Sequence, residues 1–184
     1  MRRFGIKGPA ERKAEVRSVR RIIPILFLVI CSLSAGTARP AAADGVSRAS
    51  AAYARRDYLR AVNELIPLAQ RGDARAQALL GFMYENGFGV PQAYDASADY
   101  YHRAAVQGDP FGQSRLGLSY DKGHGVPQDF VLSYKWLDLA AAHAVSKRER
   151  DFYLRLRNAV ASKMSSSQIE AGQRLALNWM PGRW

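Results

Sequence analysis

Hydrophobic and small residues recur at helical spacing in two segments near the middle of the chain. In the first segment, Ala76, Leu80 and Tyr84 follow an i, i+4, i+8 pattern, which places all three on one face of a helix. The same pattern returns 36 residues later with Gly112, Leu116 and Tyr120. The pattern therefore predicts two equivalent helices at a fixed separation.

The residues that follow each predicted helix are also nearly the same. The string "YENGFGVPQ" occupies residues 84–92, and "YDKGHGVPQ" occupies residues 120–128. Residues 72–107 and 108–143, aligned without gaps, are identical at 14 of 36 positions, whereas unrelated sequences would share roughly two. A fixed period of this length is typical of stacked helical or strand-containing units. The chain therefore contains a 36-residue repeat.

Glycine and proline in this string predict a sharp reversal of the chain. Gly87 follows the last residue of the helical pattern, where a left-handed conformation is common because glycine has no Cβ. Gly89 permits a second turn, and Pro91 prevents the helix from resuming early. Gly81 lies beside the helical stripe, which predicts close contact with another helix. The second repeat carries the same residues as Gly123, Gly125, Pro127 and Gly117.

Each repeat reads as two antiparallel helices joined by this reversal. Asp73 and Asp109 are expected to cap the first helices, and the second helices begin near Tyr94 and Phe130. The prediction is an all-α, right-handed α/α solenoid of about eight helices. Its expected divisions are a secretory signal at 1–43, an N-terminal capping or partial repeat at 44–71, repeats at 72–107 and 108–144, and C-terminal capping helices at 145–184.

The first 43 residues have the composition of a secretory signal. A basic segment at 1–21 precedes the uncharged apolar run 22–33, which is short for a membrane span. Cleavage is predicted after Ala43, giving a periplasmic or secreted protein; the alternative is an inner-membrane anchor formed by 22–33. Cleavage after Ala43 would reduce the formal charge from +11 to +4, with 18 basic and 14 acidic residues in the mature chain. That balance is not typical of a nucleic-acid-binding protein.

The repeat resembles a known family. The pattern G-D-x-x-x-Q-x-x-L-G-x-x-Y-x-x-G-x-G-V-P-Q, followed by an aromatic residue and A-A, is similar to Sel-one-like repeats of the exported bacterial type, which are related to tetratricopeptide repeats. The resemblance covers about residues 50–144. It implies an α/α solenoid that binds proteins or cell-wall components as an adaptor, and it implies no shared chemistry. Disulfide bonds that stabilise some members are not expected, because Cys31 is the only cysteine.

Positions that differ between the repeats are the candidates for partner binding, because positions shared by both are needed for folding. Tyr84 and Tyr120 are expected to pack in the core or between repeats, and Gln77 and Gln113 to hydrogen-bond the backbone of the glycine turn. First helices line the inner face of related stacks, which makes their variable positions the predicted groove. These positions are Arg75, Leu79, Phe82, Glu85, Phe111, Arg115 and Leu118. Reversing the charge of Arg75 and Arg115 together is expected to weaken binding without loss of helicity.

Signals for catalysis or metal binding are weak. Ser119 and Lys122 match the S-x-x-K pattern of penicillin-recognising serine enzymes, but the K-T-G element is absent from the sequence. The three histidines have no ligand spacing, and His124 is expected to be exposed between two turn glycines. We therefore expect no catalytic, cofactor or metal-binding residues.

The leading prediction is a non-catalytic adaptor of the bacterial cell envelope that binds a protein or peptide partner in a helical-repeat groove. The alternative is an accessory protein that binds peptidoglycan or modulates an envelope hydrolase, and a serine enzyme is a remote third possibility. No nucleic-acid partner is expected, and membrane contact is expected only through an uncleaved signal segment.

Overall fold

The computed structural model describes residues 41–182, which form a succession of α-helices without a β-strand in that range. The predicted basic and apolar parts of the signal, together with Cys31, lie outside the described residues, and the predicted cleavage point after Ala43 falls in the first turn of α1. The helices are α1 (Ala41–Ala54), α2 (Tyr58–Gln70), α3 (Ala74–Asn86), α4 (Tyr94–Val106), α5 (Pro110–Lys122), α6 (Phe130–His143), α7 (Lys147–Ala161) and α8 (Ser166–Leu177).

The ends of α3 and α5 follow from the repeated sequence. The Asp73 carboxylate accepts a hydrogen bond of 2.7 Å from the Ala76 backbone N–H, and Asp109 accepts the equivalent bond from Gly112. These bonds satisfy donors that the first helical turn leaves unpaired. At the other end, Gly87 and its equivalent Gly123 have φ of 69° and 70° and donate back to the helix. Each repeat therefore specifies the start and the end of its first helix.

Within a repeat, the two helices approach closely where the first helix carries a glycine. A Cβ added to Gly81 would lie 2.8 Å from the Tyr101 ring on α4, and one added to Gly117 would lie 2.8 Å from Leu137 on α6. Side chains separated by that distance would overlap, because carbon atoms pack at about 3.5–4.0 Å. The helical glycines therefore allow α3 to pack on α4 and α5 on α6.

The glycine–proline string also joins successive repeats. A Cβ on Gly89 would lie 2.6 Å from the carbonyl of Tyr58 at the start of α2, so the turn packs directly on that backbone. The Phe88 ring stacks on the Tyr58 ring at 4.6 Å. In the next repeat, His124 packs on Tyr94 at 4.3 Å and is half-buried. The expectation that His124 is exposed is wrong, because it occupies the position of Phe88 in this contact.

Two buried glutamines connect each first helix with its neighbours. Gln77 donates to the Ala69 carbonyl in the last turn of α2, and Gln113 donates to Ala105 in α4, both at 3.1 Å. The backbone bond expected for these residues therefore goes to the end of the preceding helix and not to the glycine turn. Their carbonyl oxygens are 2.8 Å from Gln107 Nε2 and 2.9 Å from His143 Nδ1, respectively. Gln107 and His143 are themselves 36 residues apart.

The N-terminal helix pair lacks the glycine–proline string and uses a shorter turn. Arg56 has φ of 62°, a left-handed conformation at the end of α1. Asp57 then caps α2 through a 3.2 Å bond from the Arg60 N–H. Pro67 lies inside α2, which continues through it as one helix. Ala49, on α1, is 1% exposed in the core that α1 shares with α2 and α3.

The C-terminal segment closes the stack from the side of α6. α7 and α8 both pack on α6, and Ser165 and Gln168 form the two reciprocal bonds of a capping box at the start of α8. Beyond α8, the Trp179 ring packs edge-on against Trp136 at 6.4 Å. The Gly182 N–H then donates to the carbonyl of Val106 at the end of α4. The tail therefore returns along the second helices and contacts both repeats.

Candidate functional site

The first helices and α2 enclose an apolar depression, called the first-helix groove below. Its volume is about 290 Å³, close to the lower limit of common ligand pockets. The groove is lined by Ala49, Ser50, Tyr53, Ala61, Leu65, Arg75, Leu79, Phe82, Met83 and Phe111. A space of this size and composition fits one or two large apolar side chains of a partner.

Three aromatic rings follow the groove from α1 to α5. Tyr53 on α1 lies 6.0 Å from Phe82 on α3, and Phe82 lies 6.1 Å from Phe111 on α5, measured between ring centroids. Tyr53 is 37% exposed. Rigid aromatic side chains of this kind provide large contact areas at a low cost in conformational entropy. The rings therefore form a preorganised apolar wall.

Arg75 is the ionisable cation among the lining residues, and its guanidinium is held at the edge of the groove. Its Cζ atom lies 5.1 Å from the centroid of the Phe111 ring, within the range of a cation–π contact. Its Nη1 atom lies 3.7 Å from Oδ2 of Asp109, and half of the Arg75 side chain is exposed. The guanidinium is therefore oriented by its neighbours while part of it still faces solvent.

A second pocket adjoins the groove on the other side of Arg75 and Phe111. This α5–α7 pocket has a volume of about 300 Å³ and is lined by Arg75, Asp109, Pro110, Phe111, Val145, Glu149 and Tyr153. It differs from the groove because it contains two carboxylates. Burial raises the pKa of Asp109, although its bond from Gly112 and the nearby Arg75 oppose that effect. Arg75 and Phe111 thus separate an apolar pocket from a negatively charged one.

Three polar side chains next to the groove form a partly buried cluster that links the two repeats. The Tyr101 hydroxyl donates to Glu85 Oε2 at 2.6 Å, and the Arg115 guanidinium bonds both residues. Burial raises the pKa of Tyr101. Burial alone would lower the pKa of Arg115, but Tyr101 and Glu85 raise it. Arg115 also lies 5.3 Å from the Phe82 ring centroid, so the cluster supports the aromatic wall.

The structure brings together four of the seven predicted partner-binding residues. Arg75, Leu79, Phe82 and Phe111 line the first-helix groove. By contrast, Glu85 and Arg115 pair with each other, and Leu118 is half-buried on α5 and lines neither of the two pockets. This pairing argues against the expectation that Arg115 can be reversed in charge without structural loss. Partner binding by the four groove residues stays a prediction.

Sequence reasoning missed the contribution of the elements outside the two full repeats. Ala49, Ser50 and Tyr53 on α1 form one wall of the groove, and Glu149 and Tyr153 on α7 form part of the adjoining pocket. Neither helix carries the full repeat motif, so the sequence predicts only a capping or partial repeat for α1 and a capping helix for α7. The available signal was the i, i+4 spacing of Ala49 with Tyr53 and of Glu149 with Tyr153, which places each pair on one helix face.

The S-x-x-K residues have the contacts of ordinary helix residues. Ser119 is 8% exposed, and its hydroxyl donates to the Arg115 carbonyl of its own helix at 3.1 Å. Lys122 is exposed in the last turn of α5, where a cation interacts favourably with the helix dipole. Within residues 41–182, no group of three or more His, Cys, Asp and Glu side chains is arranged to hold a metal ion.

None of the helices between Ala41 and Leu177 is long and apolar enough to cross a membrane. Their arrangement, two 36-residue helix pairs stacked between atypical ends around a groove, defines an α/α solenoid repeat protein. The Sel1 repeat model matches residues 74–109 and 110–144. Residues 74–144 therefore match the Sel1 repeat family, in agreement with the sequence pattern.

Two solved structures are similar to the chain. The chain is similar to c5321, a protective antigen present in uropathogenic Escherichia coli strains that displays an SLR fold, with a TM-score of 0.69 and 25% sequence identity. The alignment covers 75% of this chain but only 29% of c5321. A Sel1 repeat protein from Oxalobacter formigenes is 35% identical over 47% of this chain and 66% of its own, with a TM-score of 0.45. A search of curated proteins found no match.

Proposed function

We propose that this protein is an adaptor that binds an apolar segment of a protein partner in the first-helix groove. Sel1 repeats in a solenoid fold indicate a helical-repeat module for protein interaction. The observation that supports this particular site is the aromatic wall formed by Tyr53, Phe82 and Phe111 beside one oriented guanidinium. Aromatic residues and arginine are the side chains that contribute most to binding at protein interfaces.

The groove suits an apolar partner segment because few of its lining groups need a hydrogen bond from the partner. Seven of its ten lining residues are Ala, Leu, Met or Phe, so a partner buries apolar surface, worth about 25 cal/mol per Å², without having to satisfy many hydrogen bonds. The walls come from α1, α3 and α5, which the core holds in place. Little ordering of the groove is therefore needed when the partner binds.

The proposed location is the bacterial cell envelope, in the periplasm or outside the cell. The support is the basic and apolar sequence at 1–33 and the small residues before Asp44. N-terminal sequencing of the protein isolated from its native cells tests this point. A mature chain that begins at Asp44 agrees with the proposal, whereas an intact N-terminus in the membrane fraction would favour the anchor at 22–33.

Photo-cross-linking in the native cells tests the proposed interaction. A benzophenone amino acid at Tyr53, which is on the groove, should give a defined cross-linked protein. The same group at Leu177, which is 84% exposed on α8, should not. Ser50→Trp should abolish the Tyr53 cross-link, because Ser50 is an exposed lining residue from which an indole can fill the groove.

The same experiment separates the proposed function from its alternative. Equal cross-linking at Tyr53 and Leu177, or cross-linking at Tyr53 that Ser50→Trp does not affect, would contradict the use of the groove. A cross-link from Tyr53 to glycan-containing wall fragments, without a protein, would instead favour the peptidoglycan-binding alternative. Circular dichroism of Ser50→Trp verifies that the substituted protein keeps its helical content.

A further inference from the structure

The two adjoining pockets present an apolar, a positively charged and a negatively charged environment in a fixed order. The groove is apolar between α1 and α3, the Arg75 guanidinium stands at its edge, and the carboxylates of Asp109 and Glu149 lie beyond Phe111. An extended segment that occupies the groove and continues past Arg75 meets these three environments in succession. Extended chains advance about 3.3 Å per residue, so a short peptide is long enough to reach the second pocket.

We propose that the partner segment carries the complementary order: a large apolar side chain, then an acidic residue, then a basic residue. This inference rests on the proposed function of the groove. The apolar side chain occupies the space beside Phe82, the acidic residue pairs with Arg75, and the basic residue faces Asp109 and Glu149. The order is counted from the apolar side chain and applies to either chain direction.

Arg75 is assigned to bind the acidic residue of the partner because its guanidinium is oriented but incompletely paired. Its nearest contact with Asp109 Oδ2 is 3.7 Å, longer than a hydrogen bond between a guanidinium and a carboxylate. The Phe111 ring holds the guanidinium from one side, 5.1 Å from Cζ to the ring centroid, and half of the Arg75 side chain is exposed, so a carboxylate can accept two of its N–H groups. A partner carboxylate therefore meets donors whose orientation is already set.

The basic position follows from the charges around the α5–α7 pocket. Asp109 and Glu149 contribute two negative charges against one positive charge from Arg75. Asp109 is 9% exposed at its side chain and caps α5, while Glu149 lies in the first turn of α7 and accepts a 3.2 Å bond from the Val145 N–H. The pocket therefore has a net negative lining on the side away from the groove. A cationic side chain is the complement of that lining.

A matched pair of peptide libraries tests this order. Both libraries fix a tryptophan and vary the flanking residues, one with glutamate nearer the tryptophan than lysine and the other with the two exchanged, so that composition is the same. Binding to the full-length protein is measured by fluorescence anisotropy. The acid-first peptides should bind about threefold to tenfold more tightly, as expected for a partly desolvated ion pair. The difference should shrink as salt is raised.

Arg75→Glu should reverse this preference in favour of the base-first peptides. Arg103→Glu is the matched control, because Arg103 is also about half-exposed, pairs with Asp99 and contacts the Tyr100 ring, but lies on α4 outside both pockets. Arg103→Glu should leave the preference unchanged. Glu149→Gln should weaken the binding of the acid-first peptides, because their lysine loses one carboxylate, but these peptides should still bind more tightly than the base-first peptides.

The outcomes distinguish this inference from the proposed function. Equal binding of both libraries, with loss of binding in Ser50→Trp, would overturn the charge order and leave the groove as the binding site. An acid-first preference that persists in Arg75→Glu would likewise overturn the assignment to Arg75. If no peptide binds, or if Ser50→Trp weakens the binding of none of them, both the proposed function and the inference are contradicted.

Discussion

Glycines with a similar positive φ have different roles in this protein. Gly87 ends α3 where an added Cβ would make only ordinary van der Waals contacts, the nearest at 3.5 Å. Gly89 has a similar φ of 74°, but its Cβ would lie 2.6 Å from the Tyr58 backbone. Conformation alone therefore explains glycine at position 87, whereas position 89 also requires the absence of a side chain for packing between repeats.

This difference predicts unequal effects of the same substitution. Gly87→Ala should lower the free energy of unfolding by about 1–2 kcal/mol, the cost of a left-handed alanine. Gly89→Ala should lower it further, because the methyl group also separates the turn from α2. Urea denaturation monitored by circular dichroism measures both. Equal losses for the two variants would show that the turn does not depend on its contact with Tyr58.

His143 is expected to make the stability of the protein depend on pH, because it is partly buried. Burial lowers the pKa of His143, so protonation is easier in the unfolded chain, where the pKa is about 6.5. The free energy of unfolding should therefore decrease as the pH falls below about 6.5. His143→Gln should weaken this dependence, because Gln107 makes the equivalent bond to Gln77 in the first repeat.

Urea denaturation at about pH 7.5 and about pH 5 tests the prediction for His143. Burial also lowers the pKa of His102, so part of the pH dependence should remain in His143→Gln. His102→Gln measures that part and serves as the control. If His143→Gln and the wild-type protein lose the same stability between the two pH values, His143 does not contribute to the acid sensitivity.

At the scale of the elements, the repeats are similar enough to act as references for each other. The residues that precede α4 and α6 have nearly the same backbone conformation: Ala93 has φ of −152° and ψ of 107°, and Asp129 has φ of −150° and ψ of 107°. Asp129 accepts bonds of 2.8 and 2.9 Å from Val131 and Leu132. Ala93 makes no such side-chain bond.

Ala93→Asp should therefore stabilise the protein by transferring the cap of α6 to α4. The expected gain in the free energy of unfolding is about 0.5–2 kcal/mol. Asp129→Ala is the converse variant and should lose a similar amount. Thermal denaturation of the two variants provides the measurement. A destabilised Ala93→Asp, despite a destabilised Asp129→Ala, would mean that the two second helices do not begin in equivalent environments.

The elements predicted from the sequence are those whose signals are local. Asp73, Gly87 and Pro91 determine the ends of α3 through their own backbone preferences, so the repeat and its helix pairs could be derived without coordinates. The contact of His124 with Tyr94 could not, because it joins residues 30 positions apart through a turn. The pairing of Arg115 with Glu85 is equally distant in sequence. Both contacts join side chains of different elements, which the spacing of residues within one helix does not indicate.

At the scale of the whole molecule, a few polar contacts connect the two repeats. Arg115 belongs to the second repeat, while its partners Glu85 and Tyr101 belong to the first. The side chains of Arg115 and Glu85 are 22% and 19% exposed. Removing one member would leave the other charge partly buried without its partner, and that is usually more costly than losing a surface ion pair.

Arg115→Gln should consequently lower the free energy of unfolding by about 1–3 kcal/mol. Arg103→Gln, which removes an exposed pair with Asp99 within one helix, should cost about 0.5 kcal/mol or less. The double variant Arg115→Gln/Glu85→Gln should lose less than the sum of its single variants, because no unpaired charge remains. Additive losses in urea denaturation would contradict the assignment of this cluster as a coupled link between repeats.

The groove is also a property of the whole molecule, because no single repeat forms it. Its lining comes from α1 and α2 before the matched repeats, from α3 in the first and from α5 in the second. The positions predicted from variability between the repeats include four of its residues on α3 and α5, but not Met83, and the wall formed by Tyr53 required the packing of α1. Binding therefore depends on the N-terminal pair as much as on the recognisable repeats.

Hydrogen exchange with and without the partner captured at Tyr53 tests the central claim most directly. If the first-helix groove holds the partner, amide exchange should slow in α1 around Ala49–Tyr53 and in α3 around Leu79–Phe82, while the exposed surface of α8 should exchange as in the free protein. Slower exchange confined to α4, α6 or α8, with α1 and α3 unchanged, would contradict the account.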